Sequence, residues 1–340
     1  MENKRHYIIP IFVPHLGCPF NCVFCNQDAI TGSKEKVNRN YVITKAEEYL
    51  KTFEKDAVVE ISFFGGTFTA IEKDLQIELL KAASEYKDSG KINYIRLSTR
   101  PDFIDDSILS YLKEYGVDII ELGVQSMDKD VLFLSGRGHN AEVVVYASNL
   151  IKKYGFILGH QMMLGLPGDT EEKDIDTLKQ LILLKPKLLR IYPSLVIKDT
   201  PMEKMYINKT YSPYSLDKAV KISGKLLKMA HRNNINVIRV GLQPTEEINE
   251  GKDLVAGPFH PAFRELAEGY LYFSSINVNL KNKCEAIYIN PKEISKLYCD
   301  KKRYFKNLQG KNLRVVADES VPRGSYTLNY GDRFENFNIY

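Results

Sequence analysis

Residues 15–26 read HLGCPFNCVFCN, so three of the chain's five cysteines, Cys18, Cys22 and Cys25, fall within one short stretch. Thiolates this close, in a chain with too few cysteines for a disulfide framework, point to metal binding or catalysis. Gly17, Pro19, Asn21 and Asn26 around them are loop formers, so buried core cysteines are a poor account of the pattern. A structural zinc wants a closed set of four ligands. His15 is the only nearby candidate for a fourth, and Cys284 and Cys299 stand isolated far along the chain. An iron–sulfur cube is held by thiolates, normally four. Three leave one iron open, and an open coordination position implies a reacting ligand.

The elements that must position this loop are legible as alternating strand and helix patterns. Strands are expected at 6–13, 58–64, 93–98, 117–125, 156–166 and 187–196, with a weaker run at 236–242. Helices are expected near 41–54, 70–87, 104–115, 140–154, 170–184 and 215–233; Thr170 before Glu171 and Glu172, and Ser215 before LDKAVKISGKLLKMA, are start signals. Several strand runs read as apolar on both faces, and repeated strand–helix units mean a parallel sheet. Six clear units and a weak seventh predict an α/β fold, a partial (β/α)6-type barrel of TIM-like form; a doubly wound open sheet is the competing layout. In such a barrel the cysteine loop follows the first strand, at the carboxyl end where active sites collect. Past residue 245 the rhythm changes. Residues 1–245 are expected to form the barrel and 246–340 a small α+β appendage, with a helix at 261–273, strands at 285–290 and 312–317, and a helix near 291–299.

Composition narrows the setting. The 340 residues are 44% hydrophobic and 26% charged, ordinary for a globular chain, and no apolar run approaches the roughly 20 residues of a membrane span. Pro10 and Pro14 interrupt the apolar start and no small-residue cleavage site follows, so no signal peptide is expected and the cytoplasm is the default location. Net charge is +4, yet residues 281–340 hold 12 Lys/Arg against 7 Asp/Glu and carry the whole excess. A basic tail is either a solvated surface or an attraction for nucleic acid.

Cys18, Cys22, Phe24 and Cys25 fill the pattern Cys-x3-Cys-x-aromatic-Cys, which resembles the signature of the radical S-adenosylmethionine (SAM) superfamily. The resemblance implies a [4Fe–4S] cluster on the three cysteines, SAM on the open iron, and cleavage to a 5′-deoxyadenosyl radical by one electron. It also implies an external reductant of flavodoxin or ferredoxin type. The later strand ends agree in order over 6–245: SFFGGTFTA at 62–70, IRLSTRPDFID at 95–105, ELGVQSMDKDVLFLSGRGHNAE at 121–142, GHQMMLGLPGDTEEKD at 159–174 and LLRIYPSLVIKDTPME at 188–203. These resemble the Elongator catalytic-subunit-like branch and its relative, oxygen-independent coproporphyrinogen III oxidase.

Carried over by position, the resemblance implies that Phe12 and Phe24 pack near the cluster and adenine. Gly65, Gly66 and Thr67 meet the methionine end, where glycines let backbone approach a ligand. Ser98 replaces an acidic residue of the coproporphyrinogen enzymes, and Gln161 replaces their ribose-binding aspartate. Gln125 matches, and Arg137 is placed to pair with the SAM carboxylate, which suits a planar guanidinium. Ser194 or Leu195 lines the adenine pocket. Each also fits a packing or turn role; His139 and His160 read as structural, and His260 is given no role. The resemblance stops short of acetyl transfer, because no pyrophosphate-binding glycine pattern follows residue 245. The expected function is reductive cleavage of SAM acting on an unidentified substrate, with tRNA or another RNA suggested by the tail. A cluster-binding sensor or assembly protein, and a zinc-binding RNA protein, are the alternatives.

Overall fold

A computed structural model describes residues 4–13, 18, 20–26, 37–242, 252–308 and 313–340. His15 and the expected domain boundary at 245 lie outside them. The strands are β1 (His6–Val13), β2 (Val58–Gly65), β3 (Tyr94–Thr99), β4 (Ile119–Gln125), β5 (Ile157–Leu164), β6 (Leu188–Pro193), β7 (Val196–Ile197) and β8 (Asn236–Val240). All except β7 form one parallel sheet in the order β1-β2-β3-β4-β5-β6-β8. The partial barrel expected from the strand–helix rhythm is present, and the weak run at 236–242 is a full seventh strand.

The helices between the strands are started by side chains that accept orphan backbone N–H groups. Asp105, Asn140, Thr170 and Ser215 accept from Ile108, Val143, Lys173 and Lys218, each cap adding about 1 kcal/mol. Thr170 and Ser215 are the two expected starts. Helices Lys73–Asp88, Asp106–Glu114, Ala141–Lys153, Glu171–Leu183 and Leu216–Arg232 cover the outer face of the sheet. Ile61, Phe63, Ile95, Leu97, Ile120, Leu122 and Ile191 lie buried in the core they share with it.

The other face corrects one expectation. Instead of being apolar, it carries Glu60, Ser62, Arg96, Glu121 and Arg190, all at alternate strand positions. Period-two alternation sends these side chains into the barrel lumen while their neighbours enter the core.

Beyond β9 (Leu254–Ala256), which pairs antiparallel with β7, helix Phe263–Asn279 packs into the main core. It carries a four-stranded sheet of β10 (Ala286–Ile289), β11 (Arg314–Ala317), β12 (Ser325–Asn329) and β13 (Phe334–Asn338) in the order β11-β10-β12-β13. Strands β10 and β11 were expected; β12 and β13 were not, because FENFN at 334–338 shows no apolar alternation. Only short helical turns, Pro291–Glu293 and Ile294–Leu297, stand near 291–299. Buried Glu293 holds this region together: it accepts from Tyr272 Oη at 2.7 Å and the Gly324 N–H at 3.1 Å, and pairs with Lys296 at 2.8 Å.

Candidate active site

The cysteine loop leaves β1 and is pinned at Val23. Its N–H donates to Ser135 O at 3.1 Å, and its carbonyl accepts from the Met202 N–H at 2.8 Å. A turn closes behind it, Cys25 N–H to Cys22 O at 2.9 Å. None of the three cysteines is in a disulfide. Cys22 is buried, and two guanidiniums face its sulfur: Arg137 Nη1 at 3.3 Å and Arg100 Nη1 at 3.8 Å. Both hydrogen bonds are assisted by charge and suit a sulfur carrying negative charge. Among the described residues, no three Cys, His, Asp or Glu side chains converge on one point as the loop stands.

Arg137 belongs to a tight turn, Gly136-Arg137-Gly138, that lies on the loop. Both glycines have positive φ, 64° and 75°. A Cβ on Gly138 would meet the Phe20 ring at 2.0 Å, so only glycine admits this contact. Phe20 in turn stacks under Arg100, 4.2 Å from guanidinium carbon to ring centre, and Arg100 is oriented by Asp102 and donates to the Arg137 carbonyl. Arg137 Nη2 donates to Gly123 O, at the end of β4. Burial depresses the Arg137 pKa, opposed by the nearby Cys22 sulfur.

β4 ends on Gln125, a non-glycine residue at φ 70°. Such a conformation costs about 1 kcal/mol or more and persists where its surroundings impose it. The Gln125 amide lies beside Gly123 and Arg137. Gln125 Oε1, Arg137 Nε and His139 Nε2 are buried without a hydrogen-bond partner. Three orphaned polar atoms on consecutive parts of one wall are costly unless a polar ligand completes them. Burial, with Arg137 adding to it, lowers the His139 pKa to about 4, so this imidazole is neutral at ordinary pH.

The remaining expected residues are distributed around the mouth and lumen. Gly65, at φ 98°, ends β2 opposite Val13, and the Gly66 N–H donates to Val13 O at 3.0 Å. Thr67 is buried there. Phe12 is exposed in the lumen, 6.4 Å from Phe64 between ring centres. Ser98 and Gln161 face the lumen from β3 and β5, in register with Glu121 and Arg190. Phe24 packs with Val196, Met202 and Tyr211. Ser194 and Leu195 are buried, and Ser194 Oγ donates to the Met202 sulfur at 3.7 Å. His160 is a core residue bonded to Ser148 at 2.8 Å. The structure thus gathers Cys22, Gln125 and Arg137, and adds Arg100, Asp102 and Phe20. An Arg-Pro-Asp run ending a strand was the available signal for Arg100.

Below the mouth, ion pairs step across the lumen. His6 meets Glu60 at 3.2 Å, Glu60 meets Arg96 at 2.8 Å, Arg96 meets Glu121 at 2.7 Å and Glu121 meets Arg190 at 2.8 Å. Arg190 lies over the Phe64 ring at 4.6 Å and donates to Tyr192 Oη at 3.3 Å. The last pair must cross β5, and it does so over Gly159, where a Cβ would come within 2.8 Å of Glu121 Cγ. Burial raises the Glu60 pKa, but the contacts with His6 and Arg96 outweigh it and hold the carboxylate ionised.

Two family models match in succession, the radical SAM superfamily over residues 12–181 and the radical SAM C-terminal domain over residues 186–272. The chain belongs to the radical SAM superfamily. That family brings a [4Fe–4S] cluster and SAM with it. Among curated radical SAM relatives, a tRNA uridine(34) acetyltransferase of Methanocaldococcus jannaschii is 29% identical over 255 residues, covering 63% of this chain and 47% of that protein. Human Elongator complex protein 3 is 28% identical over 191 residues, covering 50% of this chain and 35% of that one. The chain spans about half the length of the curated relatives it matches first. The archaeal Methanocaldococcus infernus Elp3 with an N-terminal deletion has the same fold: TM-score 0.64 at 19% identity, over 96% of this chain and 74% of that one. No helix among the described residues is long and apolar enough to cross a membrane.

Proposed function

We propose that this radical SAM protein holds a [4Fe–4S] cluster on Cys18, Cys22 and Cys25, binds SAM on the wall beside it, and acts on an RNA substrate at the barrel mouth. The observation that carries the reading is the buried Cys22 sulfur faced by Arg137 and Arg100 and adjoined by the unpartnered Gln125 Oε1. Three cysteines on one loop, none in a disulfide and with two cations against the innermost, are a donor set that fits the cluster. Uptake requires the loop, pinned at Val23, to draw Cys18 and Cys25 toward Cys22. When bound, the cluster would supply one electron that cleaves SAM to a 5′-deoxyadenosyl radical.

The protein's own groups do the holding. The guanidiniums neutralise thiolate charge, which favours loading. Gln125, and Arg137 through its spare Nε, offer hydrogen bonds for the polar end of SAM. Gly65, without a side chain, lets a ligand come close to the end of β2, and Phe12 with Phe64 supplies an apolar wall. The lumen ladder fixes Arg190 over Phe64. RNA as substrate is supported by the relatives named for tRNA modification and by the basic residues of 281–340. A reducing compartment such as the cytoplasm suits cysteines that form no disulfide. The electron requires a partner reductant.

The test is anaerobic reconstitution with iron and sulfide, then dithionite and SAM with or without bulk tRNA. The expected result is 5′-deoxyadenosine from the reconstituted protein, increased by tRNA. A loaded cluster that never cleaves SAM would remove the reading.

A further inference from the structure

The small carboxyl-terminal sheet has one face on the core and one toward solvent. Ile287, Ile289, Tyr326 and Leu328 are buried with helix Phe263–Asn279. The opposite face is built of Tyr288, Thr327 and Asn336 in one register row, with Arg314, Asn329 and Phe334 in the next. Phe334 is 60% exposed. The Tyr288 and Phe334 rings meet edge to face with centres 5.8 Å apart, forming a corner with one ring plane and one ring edge. Two aromatic rings at the solvent face of a polar strand pair serve no core. Thr327 and Asn336 bond each other at 2.6 Å beside them and retain further hydrogen-bonding capacity.

Arg314 lies on this face, is exposed and makes no ion pair among the described residues, whereas Glu335 is occupied by Lys281 and Arg333. Cations and carboxylates balance over the rest of the sheet and its turns, and the positive excess of residues 281–340 falls on 291–312. Aromatic rings on an open sheet, amide and hydroxyl side chains between them and an unpaired arginine on the same face are the chemistry that takes unpaired bases by stacking and a phosphate by charge. A duplex hides its base faces and offers the rings nothing to stack on.

We propose that this face is a single-stranded RNA-binding platform, with one base seated in the Tyr288–Phe334 corner and Arg314 on the backbone. It gives the RNA reading above a place on the chain away from the cysteine loop, and rests on that reading for its biological sense. Its test does not need the radical chemistry, so either can fail alone.

The experiment is fluorescence anisotropy of the full chain with a labelled 12-nucleotide single-stranded RNA and with the same sequence as a duplex, at several salt concentrations. The single strand is expected to bind more tightly than the duplex. Tyr288→Ala and Phe334→Ala should each weaken it about tenfold, while Tyr288→Phe stays near the parent. Arg314→Gln should reduce the salt slope by about 0.7. Urea midpoints equal to the parent's show that the variants fold; a ring variant that loses stability is replaced by Phe334→Leu, with the same expected loss. Equal affinity for strand and duplex, or ring variants that bind like the parent, overturns the proposal. Absence of measurable RNA binding overturns it as well, and SAM cleavage measured in parallel then reports on the catalytic reading separately.

Discussion

Gly159→Ala tests whether the lumen ladder is as tightly built as its distances say. The new Cβ would lie 2.8 Å from Glu121 Cγ and 3.4 Å from Leu188 Cβ. Ordinary carbon contacts need about 3.5–4.0 Å, so Glu121 must retreat by about 1 Å. It has no freedom to do so, because Arg96 and Arg190 hold its carboxylate at 2.7 and 2.8 Å. A shift of that size takes at least one contact out of hydrogen-bonding range. Overpacking costs about 1–3 kcal/mol, and loosening a hydrogen bond to a buried charge about 1.5–3 kcal/mol. Restricting the unfolded chain by adding a methyl offsets about 0.4–1 kcal/mol. The net expectation is a loss of about 1.5–5.5 kcal/mol in urea unfolding at unchanged m-value. The mechanism is separable from a general intolerance of Gly159 to substitution. In a Glu121→Ala background there is no Cγ to strike, so adding Gly159→Ala should cost less than about 0.5 kcal/mol. A loss below 1 kcal/mol in the parent, or an equal loss in both backgrounds, refutes the reasoning.

Three further outcomes are expected. Asp174 is buried close to Asp169, and burial first, then the Asp169 charge, pushes its pKa well above the usual carboxylate range; the folded chain therefore holds a proton the unfolded chain loses above about pH 4, and stability from this group falls as pH rises. Asp174→Asn should then raise the thermal midpoint, with a gain that grows from pH 5 to pH 8. Cys22→Ala should abolish iron loading in anaerobic reconstitution, whereas Cys284→Ala, in the carboxyl-terminal region, should load like the parent by iron and sulfide analysis. Tyr272→Phe removes one of three donors to buried Glu293 and should cost about 1–3 kcal/mol, read as a lower urea midpoint.

Much of the fold was legible because its signals are local. The run HYIIPIFV at 6–13 is β1 residue for residue, since β-branched and aromatic residues dominate it and Pro10 is tolerated in a strand at the edge of the sheet. Thr170 and Ser215 announced their helices through short-range capping. Strand β13 was invisible for the converse reason: its outward residues are Phe334, Asn336 and Asn338, a pattern set by what lies across the sheet rather than by its own periodicity. Cys18, Cys22 and Cys25 stood out as candidates by their spacing alone. Arg100 passed unnoticed because its partners, Phe20, Cys22 and the Arg137 carbonyl, come from other strand ends.

By itself the chain's sequence determined the parallel strand–helix order, the placement of the thiol loop after the first strand, and the chemical class of a three-thiolate donor set. These depend on side-chain period, turn residues and ligand type within short windows. Only the tertiary structure decided which cations face Cys22, why Gln125 is held at φ 70°, and why β5 carries a glycine at 159. Charged residues spaced along separate strands become a ladder when the sheet curls and sets them in register. Whether each is paired, orphaned or exposed depends on what the neighbouring strands bring to the same depth of the barrel.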